Sequence, residues 1–223
     1  MHREWVPLSA SSLVTGVMAL VLGSLLGPNA DVKNASAILQ VVLRHDSRWM
    51  AMAVLFFIAS VALTLGLPTI LTLFDKPRGR GLGLAGTAVF LVGTIGTCGY
   101  SMLMTFFHAL VQHHAVNAQQ LDSVVAGGWL AVFLYLWVVG FLAGLVLIAI
   151  GLLRSHSTPL WVPLLMVAFV ALTPLSGQLG GKVVQVLQLM ALAVALTGVA
   201  VAATSGDGVR EQQLTRRPVS RPR

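Results

Sequence analysis

Charged residues are scarce in this sequence. Asp, Glu, Lys and Arg make up 9% of the 223 residues, whereas hydrophobic residues make up 57%. A water-soluble domain needs roughly 25% charged residues to cover its surface. The mean hydropathy is +0.87, and several apolar stretches run for about 18 residues or more. The composition excludes an ordinary soluble domain and predicts an integral membrane protein, with membrane lipid as a partner.

Several chemical motifs are also lacking. Cysteine occurs once, as Cys98 in an apolar stretch, which excludes a disulfide framework and a thiolate metal cluster. There is no Walker lysine motif, no GxGxxG before a helix and no HExxH. A haem would need axial histidines inside the bilayer, and only His108 approaches that position. Met104 and His108, four residues apart, would suit copper, but methionine is also a routine core filler. We expect neither a metal nor another cofactor.

The positive charge of the chain does not indicate a nucleic-acid partner. The formal net charge is +7, but the basic residues lie in short loops and a C-terminal tail, where they orient membrane helices. No basic surface interleaved with exposed aromatic residues is evident. Lysine is rare among the basic residues, and Gly, Ala, Val and Leu are frequent, as is typical of a GC-rich bacterial genome.

Six apolar stretches are each long enough to cross a hydrocarbon core of about 30 Å as a helix, at about 1.5 Å per residue. Only a helix satisfies its own backbone groups there, since no alternating pattern of a barrel appears. Pro163 and Pro174 are expected to kink or cap the fifth span. The predicted fold is an all-α bundle of about six transmembrane helices, at residues 9–27, 48–74, 82–107, 126–153, 159–177 and 183–204.

The distribution of Lys and Arg predicts the orientation. Ten of them fall in segments that share a side with both termini, and four fall on the opposite side. The positive-inside rule then places both termini in the cytoplasm and the chain in the inner (plasma) membrane as a multi-pass protein. We expect one transmembrane domain, 1–204, and a disordered basic cytoplasmic tail, 205–223.

A second interpretation concerns the first span. Ala35-Ser36-Ala37 resembles a signal-peptidase site, and cleavage there would leave five spans. The polar stretch before the site is long, however, and removing the first span would spoil the alternation of charge between loops. These features favour a retained first span.

Small residues predict close helix packing. Gly16, Gly23 and Gly27 fall near one face of the first span, and Gly140 and Gly144 do so in the fourth. Such spacing lets membrane helices approach closely. It predicts a compact bundle and carries no information on activity.

A polar stripe marks the third span. Its members are separated by 7, 3, 4, 4 and 3 residues, which places them on one face of a helix that should turn toward the bundle interior. Their hydroxyl groups either bond to the preceding turn or to a neighbouring helix, or line a cavity. The stripe consists of Thr87, Thr94, Thr97, Ser101, Thr105 and His108.

Ionisable and amide groups gather at the predicted outer ends of the helices. His45 and Asp46 precede the second span, and His108 ends the third. Either the histidines lie in a wet loop without a special role, with Asp46 paired locally to Arg44 or Arg48, or these groups form a site. The other outer groups are Gln112, His113, His114, Asp122, Gln178, Lys182, Gln185 and Gln188.

Aromatic residues in the second to fourth spans suggest one chemistry for such a site. Aromatic faces stabilise a carbocation in a dry cavity, and a desolvated carboxylic acid at the rim would start its formation by protonating an alkene or epoxide. Asp46 is the predicted acid, with His45 or His108 positioning it. An ordinary aromatic belt is the alternative, particularly for Trp49 and Trp129. The predicted substrate-binding residues are Tyr100, Ser101, Thr105, Phe107, Trp129, Phe133, Tyr135, Gln185 and Gln188.

Two segments carry a resemblance to known proteins. The segments "RHDSRWMAMAVLFF" and "DKPRGRGLGLAG", together with the span layout, resemble a broad group of uncharacterised actinobacterial multi-span membrane proteins. More distantly, the chain is similar in size and in its acid and aromatic content to small membrane-bound terpene cyclases of prenylated natural-product pathways. That resemblance implies an all-helical, metal-independent cyclase or isomerase with Asp46 as an acid.

Two functional hypotheses follow. The first is a membrane-embedded enzyme that acts on an apolar, isoprenoid-like small molecule by proton-initiated cyclisation. The second is a non-catalytic polytopic membrane protein, such as a transport accessory or a partner-binding subunit. In the first, replacement of Asp46 abolishes activity; in the second, the polar groups of the outer loops are replaceable.

Overall fold

The protein folds into six long helices, as described by a computed structural model that covers residues 5–27, 42–74, 79–113, 115, 128–178 and 182–215. These residues contain no strand, so the predicted all-α architecture is confirmed. The segment with Ala35-Ser36-Ala37 lies outside the described residues. The helices are α1 Trp5–Leu26, α2 Asp46–Thr72, α3 Arg80–Gln112, α4 Gly128–Ser155, α5 Trp161–Gln178 and α6 Lys182–Thr215.

Five of the helices are long and apolar enough to cross a membrane: α1 to α4, and the part of α6 at Val183–Ser205. The protein is therefore an all-α membrane bundle. The apolar part of α5, Trp161–Pro174, is shorter, although the whole 18-residue helix is about 27 Å long. The sixth crossing consequently stays a prediction that rests on α5.

The last helix is longer than its apolar span. It continues to Thr215, so the first part of the segment predicted to be disordered from residue 205 is helical among the described residues. Polar residues such as Asp207 and Arg210 end the hydrophobic stretch without ending the helix. Residues 216–223 lie outside the described part of the chain.

The helices form a closed ring. Each helix contacts the next along the chain, α6 contacts α1, and α2 and α6 also touch each other. The core between them is apolar and includes fully buried Leu13, Leu63, Ile148, Met166 and Leu196.

Glycines let two pairs of ring neighbours approach at backbone distance. A Cβ atom on Gly16 of α1 would lie 2.7 Å from the backbone nitrogen of Leu63 in α2, and one on Gly66 of α2 would lie 2.7 Å from the Cα atom of Leu13. In the α3–α4 pair, a Cβ on Gly144 would lie 2.5 Å from the Cα atom of Phe90. The predicted packing role of Gly16 and Gly144 is therefore confirmed.

Side chains of neighbouring helices form hydrogen bonds close to two prolines that lie inside helices. Pro68 lies inside α2, and beside it the Ser9 hydroxyl of α1 donates to the Leu65 carbonyl (2.8 Å) and accepts from the Thr69 N–H (3.2 Å). Pro174 lies inside α5, where the buried Gln188 side chain donates to the Phe169 carbonyl. Beside Pro68, a side chain from another helix thus satisfies two backbone groups where proline disturbs the hydrogen-bond ladder.

Candidate functional site

The predicted acid and one predicted histidine meet at the end of the bundle that the charge distribution predicts to be the outer end. Asp46 is the first residue of α2 and His108 lies near the C-terminus of α3. The His108 Nε2 atom contacts the Asp46 Oδ1 atom. Gln112, one turn further along α3, donates from Nε2 to the same carboxylate oxygen over 3.1 Å. These three residues, the outer polar cluster, join α2 to α3 across 62 residues of sequence.

The surroundings of Asp46 favour the ionised carboxylate. Its side chain is 53% exposed and that of His108 is 17% exposed. Water and hydrogen-bond donors both stabilise a carboxylate over a carboxylic acid. A proton-donating acid of the kind predicted here would need a desolvated environment, which Asp46 lacks. The arrangement suits a hydrogen-bonded contact that joins two helix ends better than it suits a proton donor.

The other predicted neighbours of Asp46 do not join this cluster. His45 is exposed at the N-cap position of α2, and its side chain makes no capping hydrogen bond. Arg48 donates from Nε to the Leu26 carbonyl over 2.8 Å, which satisfies an unpaired carbonyl at the C-terminus of α1. Asp46 therefore pairs with His108, a distant residue, and not with Arg48 beside it.

Four of the five hydroxyl residues in the α3 stripe face inward, as predicted. Thr87, Thr94, Thr97 and Ser101 are buried, whereas Thr105 is exposed. Ser101 donates to the Cys98 carbonyl over 2.7 Å, and Thr105 donates to the Ser101 carbonyl over 3.0 Å. The other three hydroxyls likewise donate within α3. The interpretation as back-bonded helix hydroxyls therefore accounts for the stripe.

A compact aromatic group lies deeper, between α2, α3 and α4. The Tyr100 ring stacks on Trp137 with centroids 4.5 Å apart and is tilted against Phe56 at 5.9 Å. The Trp137 Nε1–H donates to the Thr97 hydroxyl over 2.9 Å. Phe56 is ten residues after Asp46 on the same helix, which is about 15 Å along its axis. The carboxylate and this aromatic group are therefore at different depths.

A second aromatic contact lies closer to the outer polar cluster. Phe107 is half-buried, and its ring centroid is 6.2 Å from that of Trp49. The Trp49 Nε1–H donates to the Met104 carbonyl over 3.1 Å. Met104 and Met52 are buried together in a small apolar cluster, and no three His, Cys, Asp or Glu side chains among the described residues group to hold a metal. The two methionines serve as core filling here.

Three of the predicted substrate-binding residues lie on the outside of α4. Trp129 is 81% exposed, Phe133 69% and Tyr135 72%. They do not come together with Asp46 or with Tyr100. Their exposure agrees with the alternative of surface aromatics near the membrane boundary.

The two predicted glutamines bind protein groups. Gln188 is buried and donates from Nε2 to the Thr173 hydroxyl over 2.7 Å and to the Phe169 carbonyl over 3.3 Å. Gln185 is half-buried, with its Nε2 atom 3.5 Å from the Ser24 carbonyl. Both connect α6 to neighbouring helices. Of the remaining outer groups, His114 and Asp122 lie outside the described residues, as do the side chains of Gln178 and Lys182.

One feature that the sequence analysis missed is the uncovered start of α4. No residue from 128 to 139, the outer segment of α4, is buried, whereas nine residues from Gly140 to Ser155 are. Helix lengths explain the difference. The 28 residues of α4 extend about 42 Å and the 18 residues of α5 about 27 Å, so α5 ends before it reaches the outer segment. The predicted spans already differed in length, but their relative register in the bundle was not available from the sequence.

Comparison with known proteins finds no family model, curated protein or solved structure that matches this chain.

Proposed function

We propose that this protein is a non-catalytic, multi-pass subunit of the plasma membrane that binds a partner protein through the outer segment of α4. The single observation that supports this best is the absence of any buried residue from 128 to 139 in a helix whose other half is well packed. Of the groups predicted to serve catalysis, Asp46 and His108 contact each other at a site where Asp46 is exposed, and Ser101 and Thr105 donate to carbonyl groups of their own helix.

The outer segment differs from ordinary lipid-facing surface in its position along the membrane normal. Arg154, in the last turn of α4, suits the inner membrane boundary. A core of about 30 Å corresponds to about 20 helical residues, so the hydrocarbon ends near residue 134. Trp129 and Phe133 then lie at or above the outer boundary, where acyl chains cover them poorly.

The neighbouring helix α3 adds exposed apolar surface at the same level along the membrane normal. α3 and α4 are antiparallel, and Gly96 of α3 lies against Trp137 of α4, which brings Phe106 level with the beginning of α4. Phe106 is 62% exposed. Trp and Tyr are typical of the membrane interface, but Phe is not part of that belt. Exposed Phe side chains above the hydrocarbon favour a protein partner.

The proposal includes the orientation of the protein in the membrane. The excess of Lys and Arg in segments on the side of the termini favours a cytoplasmic location for both ends. The outer segment of α4 then faces the outside of the plasma membrane of a bacterial cell. The partner is a membrane protein with an apolar helix or loop exposed on that face.

Site-specific photocrosslinking in cells tests the proposal. A photoreactive phenylalanine analogue replaces Trp129 or Phe133, and replaces Leu65 as a control, because Leu65 is also exposed and apolar but lies within the span of α2. The expected result is one discrete protein adduct shared by positions 129 and 133 and missing at position 65. Adducts that are the same at all three positions, or lipid adducts only, would contradict partner binding.

The contact between Asp46 and His108 favours a second candidate. Under it, the chain is a metal-independent membrane cyclase or isomerase of an isoprenoid-like substrate, and the outer polar cluster handles the proton. The exposure of Asp46 makes this the weaker proposal. Its test is turnover of an isoprenoid epoxide by the purified protein in lipid nanodiscs. Wild-type protein should be active and Asp46→Asn inactive at equal expression; turnover by Asp46→Asn equal to that of the wild type would end it.

A further inference from the structure

A long apolar groove runs along the outside of α6 in the inner half of the bundle. Its floor is formed by α6 residues that recur every three or four positions from Met190 to Ser205, and its walls include Met18 of α1 and Trp161 of α5. This inner groove has a volume of about 640 Å³. It lies away from the outer polar cluster and from the outer segment of α4.

The groove is long enough to hold a hydrocarbon chain. Met190 and Ser205 both line it and are separated by about 22 Å along the helix axis. One leaflet contributes about half of a hydrocarbon core of about 30 Å. The groove therefore extends over the depth of one leaflet, and a chain that lies along it would contact apolar side chains over most of its length.

The two ends of the groove differ in polarity. Ser157 and Ser205 line the end at the inner face of the bundle, while Met190 and Val194 line the deeper part. Ser157 follows the last turn of α4, where Arg154 supplies an exposed positive charge. An amphiphile with a hydrocarbon tail and a polar, negatively charged head matches this gradient.

The middle of the groove is built by a close contact between two helices. A Cβ atom on Gly198 of α6 would lie only 2.5 Å from the Cη2 atom of Trp161. The indole ring therefore lies directly over Gly198 and forms a flat wall. Trp161 is itself half-exposed, which leaves its other face for a ligand.

We propose that the inner groove binds one acyl chain of an inner-leaflet phospholipid, with the phosphate-bearing headgroup near Ser157, Ser205 and Arg154. The chain lies along α6 against Trp161 and reaches Met190. A bound lipid fills the space between α1, α5 and α6, at the place where the ring closes. The proposal does not depend on partner binding by α4.

Native mass spectrometry of the full chain, released from micelles after extensive washing, tests the proposal. The wild type is expected to retain a phospholipid. Val201 and Val194 are exposed groove residues, so Val201→Trp and Val194→Trp should each fill the groove and lose the lipid. Two variants guard against a misfolded protein in one of them.

Val186→Trp is the matched control, because Val186 is an exposed valine of the same helix that does not line the groove. It should retain the lipid as the wild type does. Equal retention by all four proteins, or no retained phospholipid in the wild type, would overturn the proposal. A retained isoprenoid in place of phospholipid would overturn it too. So would a dimer that the groove variants dissociate, because it would assign the groove to a second copy of the chain.

Discussion

The Ser9 hydroxyl shows how one side chain supports a neighbouring helix. Pro68 has no N–H and disturbs the hydrogen-bond ladder of α2. Ser9 reaches across from α1, donates to the Leu65 carbonyl and accepts from the Thr69 N–H. In a membrane there is no water to satisfy these groups instead. The serine therefore has a structural role that its position in an apolar stretch did not reveal.

Replacing this hydroxyl should lower stability. In Ser9→Ala the Thr69 N–H and the Leu65 carbonyl lose their partner, and we expect the free energy of unfolding in micelles to fall by about 1–2 kcal/mol. Ser11→Ala is the control, since Ser11 is exposed and bonds only within its own helix, to the Leu8 carbonyl. Equal stability of the two variants would contradict the bridging role.

Sequence reasoning succeeded for residues whose neighbours are set by helix periodicity. The spacing of Thr94, Thr97 and Ser101 placed them on one face, and that face is buried. It was less successful for Trp129 and Phe133, because exposure on α4 depends on how far a separate helix extends beside it. The pairing of Asp46 with His108 was anticipated from their common membrane side, while the exposure of the pair was not.

Helix pairs depend on glycine where their backbones meet. Gly66 of α2 lies against the backbone of Leu13, whereas Gly99 of α3 has no atom within 4 Å of an added Cβ. Residue spacing predicted close packing for glycines of the first and fourth spans, and no role was predicted for the glycines of α3. Gly83, Gly86, Gly93 and Gly96 of α3 all face close neighbours, and their spacing of three and seven residues was a usable signal.

A matched pair of substitutions tests this packing. Gly66→Ala should lower the free energy of unfolding by about 1–3 kcal/mol, because the methyl group forces α1 and α2 apart. Gly99→Ala should leave stability unchanged or raise it, because alanine favours the helix and meets nothing. Thermal unfolding in micelles distinguishes them, and the same loss in both variants would show that helix separation is not the cause.

The length of α5 determines the shape of the ring at both membrane faces. Its short span leaves the outer segment of α4 uncovered, and its beginning at Trp161 forms a wall of the inner groove. The span boundaries read from hydropathy were close to the helices observed, with α3 and α6 extending further. A span predicted from hydropathy ends at the first polar residues. The helix itself extends as far as its backbone hydrogen bonds continue.

At the scale of the whole molecule, an even number of membrane crossings is a prediction that rests on α5. This helix runs antiparallel to α6, because Trp161 lies against Gly198 and Thr173 accepts a hydrogen bond from Gln188. Composition and charge distribution were sufficient to predict a helical membrane protein. They could not predict which helices touch, because all six have apolar surfaces and lipid and protein are similar solvents for them.

Cysteine labelling in intact cells tests the crossing by α5 most directly. In a Cys98→Ser background, single cysteines replace His113 after α3, Ser157 between α4 and α5, and Val183 at the beginning of α6, and a membrane-impermeant maleimide is added outside. We predict labelling of His113→Cys and Val183→Cys, with Ser157→Cys labelled only after permeabilisation. If Ser157→Cys and Val183→Cys instead react from the same side, α5 does not cross the membrane and the closed six-helix ring is wrong.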